Sequence, residues 1–569
     1  MRNYYFIRVC IFLFVALLGS VNNARAEYIT IGGITYNAYP SYGLAEVTQI
    51  SSDIVNVVIP ETVSESKGNS YTVVQMDYGV GGSNIGATGA VTVTLPPTIS
   101  YIGDFVFRNC IKLEEINLDK VTQLGKRVFE DCTSLKSVNL NSITEMASEA
   151  FAGCTSLKSV TLGNMEKIDY ANFRGCTGLE EVTVGLSTIP NETFKGCTNL
   201  KKAHFTENVR VISTEAFRGC GLTEVMIPNT VTKIDKYAFQ DCNEVKYMYL
   251  GEGLTSVSNL FFEDSKALET LVVRCKEVPS AFQDCTQLTA IDFGDKVETI
   301  KSSAFVRCTS LPSIVFPDNI SMVNANAFDG CTNLKSVTFG KNFNTPTTYT
   351  SIFAYCPIET VIIHCTTYKT NYVGRYCTTV KEVYFNDNLK AIPEEAFYGW
   401  TSMASPHLPS SLESIGANAF SQTTFEELVI PDGVKTLGAY LCYDNQNLKT
   451  ISLPVTLTSV GRNINNGYYK TVIVRGETPF AINENVFPSY NATLVVPSDA
   501  AVSRFSTTHP WSKFYSIVKD DTTTSISEIS VQPGQKEMSD KLIYNLNGQR
   551  LNTPQRGINI ANGRKVVIK

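Results

Sequence analysis

Histidine and tryptophan are scarce in this 569-residue chain, with four and two copies. His204, His364, His407 and His509 stand far apart in sequence, and none lies in an H-E-x-x-H run. No G-x-S-x-G occurs either, so the signatures of a helical zinc protease and of a serine hydrolase are both missing. The sixteen Cys include no pair at two- to four-residue spacing, which leaves no zinc-finger ligand set. Positive charge is in deficit: 48 Lys and Arg stand against 54 Asp and Glu, a formal charge of −6. Such a chain has no general electrostatic pull on nucleic acid. The apolar run Val9 to Leu18 is too short to span a bilayer, and no second stretch is long and apolar enough to do so. Asp and Glu are scattered, and nothing nominates a catalytic carboxylate pair. No catalytic residue, metal or cofactor is therefore assigned, and the chain is not read as an enzyme.

What the chain has in abundance is one repeated sentence. EAFAGCTSLKSVTL (Glu149 to Leu162) follows VFEDCTSLKSVNL (Val128 to Leu140) and precedes NFRGCTGLEEVTV (Asn172 to Val184). Its Phe recurs at 107, 129, 151, 173, 194, 217, 239, 262, 282, 305, 328 and 353, in steps of 20 to 25 residues. A sustained period of that length marks stacked repeats. The run Leu157-x-x-Val160-x-Leu162 is too short for a helix, and its alternating end predicts a half-buried strand. Strands recurring once per repeat must be parallel, because each needs a crossover to return. The Phe then fills the space between two layers of the stack. The Gly-Cys-Thr step turns the chain, since Gly is permissive there and Thr can bond the local backbone. One repeat cannot bury its own apolar face, whereas a stack forms one continuous core.

The pattern resembles the bacterial leucine-rich repeats of the BspA type over roughly Ala90 to Val474. Later copies drift: Trp400 and Asn445 stand at Cys positions and Cys442 at a Phe position. The resemblance implies a repeat solenoid, a curved stack of about 17 parallel-strand repeats with the strands on the concave face. It also implies secreted or cell-surface proteins that adhere or bind host proteins.

The ends read differently. Residues 1–26 carry Arg2 and Arg8, an apolar run and Ala24-Arg25-Ala26, which together predict a secretory signal peptide. Cys10 opens that run instead of following it, which argues against a lipoprotein. Cleavage would remove three Arg and no acid, moving the formal charge from −6 to −9. Residues 27–89 lack the Phe-Cys pattern and are read as an N-terminal β cap over the open end of the stack. Within them YGVGGSNIGATG (Tyr78 to Gly89) lacks the Lys-Ser/Thr ending of a phosphate loop and is read as a loop. The repeats are assigned to 90–476. A closing cap follows at 477–518, with an aromatic cluster expected from Phe505, Trp511, Phe514 and Tyr515. A polar linker is placed at 519–527 and a small β domain at 528–569. In the last block, Asn-Gly at 547–548 and 562–563 signals hairpins. It is similar to the C-terminal sorting domains of the type IX secretion pathway of Bacteroidetes-type bacteria. That likeness implies a secreted chain held at the outer-membrane surface, with the periplasm as the alternative location.

Twelve Cys fall in one repeat column: 110, 132, 154, 176, 197, 220, 242, 285, 308, 331, 356 and 377. Export invites disulfides, and a spacing of about 5 Å between stacked units does not forbid them. A repeating column, however, gives each Cys two equivalent neighbours and no unique partner. Ser265 and Trp400 interrupt the column without leaving an obvious unpaired Cys. Free buried thiols are expected. Cys275 and Cys365 follow strands four repeats apart, too far for a bond.

On each strand, the residues flanking the central apolar position should face the concave side. The rows are small or polar up to Glu181 and Thr183. They then change to Lys202 and His204, Glu224 and Met226, Tyr247 and Tyr249, and Thr270 and Val272. Aligned, these form a patch with exposed aromatic and apolar groups, a composition typical of interfaces. A register error of one residue would bury them instead. Ile362, Tyr384 and His407 form a second cluster. The expected function is capture of an extracellular protein or glycan on a rigid scaffold. The alternatives are a self-associating spacer or matrix component, and a hydrolase with a cryptic site. Repeat scaffolds host many ligands, so the sequence names none.

Overall fold

The computed structural model describes residues 27–77, 85–163, 165–343, 352–365 and 378–520 in full, with the backbone of 543–544, 550–551, 557–561 and 564–568. The signal-like segment 1–26, Cys377, most of the polar linker and the two Asn-Gly steps lie outside the described residues. The chain divides after Ala267 into two compact units.

The first unit opens with an antiparallel meander of Glu27–Ile31, Ile34–Tyr39 and Leu44–Ile50. Gly32 and Gly33 both have positive φ (58° and 78°), as a two-residue hairpin turn between right-twisted strands requires. Leu44–Ile50 then pairs in parallel with Ser70–Met76, and Gln75-Met76 pairs in parallel with Tyr101-Ile102. That pairing carries the meander into a ladder of short parallel strands: Gln123–Leu124, Glu145–Met146 and Lys167–Ile168. The meander thus covers one end of this ladder with backbone hydrogen bonds.

Each turn also contributes to a second, longer-stranded ladder. It begins with Asn56–Val58, Thr92–Thr94 and Glu115–Ile116. It resumes with Ser159–Leu162, Glu181–Val184 and Lys202–Phe205, and then with Glu224–Ile227 and Tyr247–Leu250. Leu135 and Leu140 are buried as the repeat demands, yet the residues between them form no strand. In the preceding turn the Asn117 side chain engages both the N–H and the carbonyl of Leu95 (2.6 and 3.0 Å). The sequence pattern anticipated one strand per repeat, whereas the fold has two. The second strand is only two residues long, too short to present an alternating pattern.

The return segment closes each turn. Phe107, Phe129, Phe151, Phe173, Phe194, Phe217 and Phe239 are fully buried and stack ring on ring, 5.1 to 5.6 Å between centroids. Each such ring removes apolar surface worth about 1.5–3 kcal/mol. Phe107, Phe129 and Phe151 also donate their backbone N–H to the next turn, at the carbonyls of Val128, Ala150 and Asn172 (2.9, 2.8 and 2.9 Å). The return segments from Phe107 to Phe239 hold left-handed residues on both sides of the Phe. Glu149 (φ 60°) and Gly153 (φ 74°) flank Phe151 in this way. The second of these positions explains the Gly, Asp or Asn that precedes Cys, since those residues bear a positive φ at the least cost.

The Cys column is a hydrogen-bond ladder. Cys132, Cys154, Cys176, Cys197, Cys220 and Cys242 each donate Sγ–H to the carbonyl of the Phe in the preceding turn, at 3.1 or 3.2 Å. Ser265 does the same with its hydroxyl, to Phe239 at 3.0 Å. Every Cys among the described residues is a buried free thiol, and burial pushes the Cys110 and Cys242 thiols up to about 12.

The second unit repeats the plan. Its longer ladder comprises Thr270–Val273 with Ala290–Phe293, then Ser313–Val315, Ser336–Phe339, Thr360–Ile363 and Glu382–Phe385. A last group runs from Glu427–Val429 through Thr450–Leu453, Thr471–Val474 and Thr493–Val496 to Ser516–Lys519. The aromatic rings stack as before, with Phe282, Phe305, Phe328 and Phe353 5.1 to 5.7 Å apart. A helix, Asp499–Thr507, closes this unit, and its Ser498 cap accepts the Ala501 N–H at 3.1 Å. Beside it Trp511 donates Nε1–H to the Phe480 carbonyl (2.8 Å) and meets Phe505 and Phe487 edge-on. Tyr515, expected in this cluster, is 85 % exposed. Successive residues in extended chain point to opposite faces, so burying Phe514 turns Tyr515 outward, and Phe487 and Tyr490 complete the cluster instead. The last block forms an antiparallel sheet in which Gly557–Ala561 pairs with Arg564–Ile568 and with Ile543–Tyr544.

Candidate functional site

The candidate surface of the first unit is built by parallel register. A two-residue side-chain period sends every second residue of a strand to the same face. The inner positions are core: Val182, Val184, Val225, Ile227, Met248 and Leu250 are all buried. The alternate positions are therefore displayed outward. Glu181 pairs with Lys202 and Thr183 with His204. Further along, Glu224 lies directly opposite Tyr247, and Met226 directly opposite Tyr249. The structure thus brings these four residues into one two-by-two array, with Lys202 and His204 on a neighbouring strand.

The array mixes apolar surface with charge. Met226 is 44 % exposed, and the two Tyr are half-buried. Asn229, in the loop after its strand, accepts the Tyr249 hydroxyl at 3.4 Å and the Glu252 N–H at 3.1 Å, which orients the ring. His204 Nε2 meets Glu181 Oε1 at 2.7 Å, and Lys201 pairs with Glu244 at 2.5 Å. Glu224 and Lys202 make no hydrogen bond or ion pair through their side chains among the described residues. Sequence reasoning did not single out Asn229, and it placed Glu181 only among the small or polar rows. The Pro-Asn step after the strand was the available signal for Asn229.

Val272, the remaining residue of the expected patch, belongs to the second unit. It is only 8 % exposed. It pairs with Asp292, whose carboxylate is held at 2.6 Å by Arg274, just past the end of Val272's strand.

In the second cluster, Ile362 and Tyr384 are direct cross-strand partners. The Tyr384 hydroxyl donates to Glu382 at 2.7 Å. His407 is exposed but stands outside the ladder, because its segment forms no strand. Pro406 occupies the central strand position there, and proline has no N–H for a ladder. Thr338 precedes Ile362 in the same row, and Val315, 51 % exposed, precedes Thr338. Sequence reasoning did not include Val315, although its spacing from the central apolar residue marks the same column.

Among the described residues no group of three His, Cys, Asp or Glu side chains converges as metal ligands. No helix among them is long and apolar enough to cross a membrane. His364 is half-buried, and desolvation holds its imidazole below the ordinary value; it has no counterpart in the array.

Solved structures with related folds include a leucine-rich repeat protein from Bacteroides ovatus, 22% identical, covering 78% of this chain and 94% of that one with a TM-score of 0.28. A leucine rich cell surface protein from Faecalibacterium prausnitzii is 17% identical over 78% of this chain and 96% of that one, with a TM-score of 0.31. The pneumococcal vaccine antigen PcpA is 14% identical over 88% and 100%, with a TM-score of 0.22. Superpositions this loose carry no functional weight. No curated protein matches the chain. The family model for the BspA type leucine rich repeat region matches residues 86–187, 181–279, 278–373 and 370–492, well over half the chain. With its parallel ladders, buried Phe stack and repeated Cys turn, the chain belongs to the BspA type leucine rich repeat family.

Proposed function

We propose that this chain is a secreted or cell-surface binding protein that captures a protein partner on the outward strand face of its first unit. The observation that carries this reading is the register pairing Glu224 with Tyr247 and Met226 with Tyr249. Tyr anchors on a fixed sheet lose little side-chain freedom on binding and are frequent energetic centres of interfaces. The mechanism is contact area on a preorganised surface, with no bond made or broken. Export rests on the signal-like segment 1–26, and surface attachment on the sorting-like block 528–569.

Binding is tested by titrating the full chain against immobilised extracellular proteins, with a glycan array alongside. Saturable binding to a protein that is lost in Tyr247→Ala/Tyr249→Ala, with an unchanged thermal midpoint, supports the reading. Binding confined to glycans, or indifferent to the double substitution, refutes it. For location, the chain from Glu27 onward and a version stopping at Val518, each behind the native leader, are followed in the native cell. Surface delivery of the longer chain alone supports an address in the last block. Retention of both in the periplasm overturns surface display.

A further inference from the structure

The geometry points to a specific partner chemistry: the Tyr247–Tyr249 array with Glu224 is a receptor for a Lys- or Arg-bearing segment of a protein. This inference rests on the binding reading above and adds the charge of the ligand.

Three observations carry it. First, the Glu224 carboxylate is exposed and unpartnered among the described residues, while Glu181, two strands away, is engaged by His204 at 2.7 Å. Second, the side chain directly across the strand pair from Glu224 is Tyr247, with Tyr249 two positions along on the same face. Cross-strand neighbours have Cβ atoms about 5 Å apart. A cation within about 6 Å of a ring centroid is held by the ring face. One ammonium or guanidinium can therefore meet the carboxylate and the aromatic face together. Third, Met226, directly across from Tyr249, supplies apolar surface for the methylene stem of a long basic side chain. Lys202, on the strand before Glu224, is exposed and forms no ion pair with it. Its ammonium opposes an incoming cation, so its removal should tighten binding. That sign separates this proposal from a merely hydrophobic patch.

The test is a fluorescence-anisotropy titration of the full chain with a labelled Gly-Lys-Ser repeat peptide, beside the same peptide with Nε-acetylated lysines. Saturable binding of the lysine form and weaker binding of the acetylated form are expected. Glu224→Gln and Tyr247→Leu should each weaken binding by about 3- to 30-fold, the range of one exposed to partly desolvated cation contact. Tyr247→Phe should bind as the parent does. Lys202→Ala should bind more tightly, and Glu427→Gln, an exposed control in the second unit, should change nothing. The proposal is overturned if the lysine peptide does not saturate, if acetylation has no effect, or if Glu224→Gln matches the parent. If Tyr247→Ala/Tyr249→Ala abolishes capture of an extracellular protein while Glu224→Gln leaves it intact, the cation receptor is wrong and the binding face stands. If neither affects capture, both readings fall.

Discussion

Replacing Cys176 with Ala and, separately, with Ser tests what a column of buried, unpaired thiols does for the stack. The Phe151 carbonyl accepts two hydrogen bonds, from the Cys154 N–H within its own turn (3.2 Å) and from the Cys176 thiol of the next (3.1 Å). Alanine removes the second donor and a buried sulfur. The lost burial resembles one methylene, about 0.8 kcal/mol. A weak buried hydrogen bond adds about 0.5–1 kcal/mol, and a small residual cavity adds to both. The expected cost is about 1.5–2 kcal/mol. Serine keeps a donor where Ser265 already uses one at 3.0 Å, so it should cost no more than about 1 kcal/mol. Urea unfolding of the full chain, with amide exchange at Phe151 and Cys154, reads both. Alanine equal to or milder than serine would refute the donor role and leave the thiol as a space-filler. The pH dependence gives a second reading of the same column. Burial raises the Cys242 thiol from an ordinary value of 9.0 to about 12. The folded state therefore holds its proton longer than the unfolded chain does. Its contribution is fully present below pH 9 and is lost as pH rises toward 12. A Cys242→Ser chain should show a shallower loss of stability over that interval.

Two further outcomes follow from the geometry. Tyr355 holds φ 60° with its side chain 82 % exposed. Tyr355→Gly should raise stability by about 0.5–1 kcal/mol, because glycine relieves the left-handed strain while little packing is lost; a lowered unfolding midpoint would contradict this. Trp511 is fully buried and bonded to the Phe480 carbonyl at 2.8 Å. Trp511→Ala should cost about 3–5 kcal/mol locally, seen as rapid amide exchange in Thr493–Val496 and Ser516–Lys519 while Ser159–Leu162 keeps its protection.

The repeat period, the parallel strands and the buried Phe were legible in the sequence, because a stack imposes the same burial on the same position in every turn. So was the unpaired state of the cysteines among the described residues, from the lack of a unique partner. The second ladder was not legible: a pair such as Glu145-Met146 is too short to show alternation, and only the backbone of the neighbouring turn makes it a strand. The role of the Cys column was hidden for a related reason, since its acceptor is a carbonyl 25 residues away for Cys176. Spacing alone brought Tyr247, Tyr249, Glu224 and Met226 to one face, and register then decided which of them are direct neighbours. Pro406 is written in the sequence, and its effect on His407 follows from the missing N–H. Val272 reads as a surface residue by position and is buried by what stands around it. Position within a turn is local information that one chain can display. Burial depends on which side chains adjoin, and that is settled only when the turns are stacked.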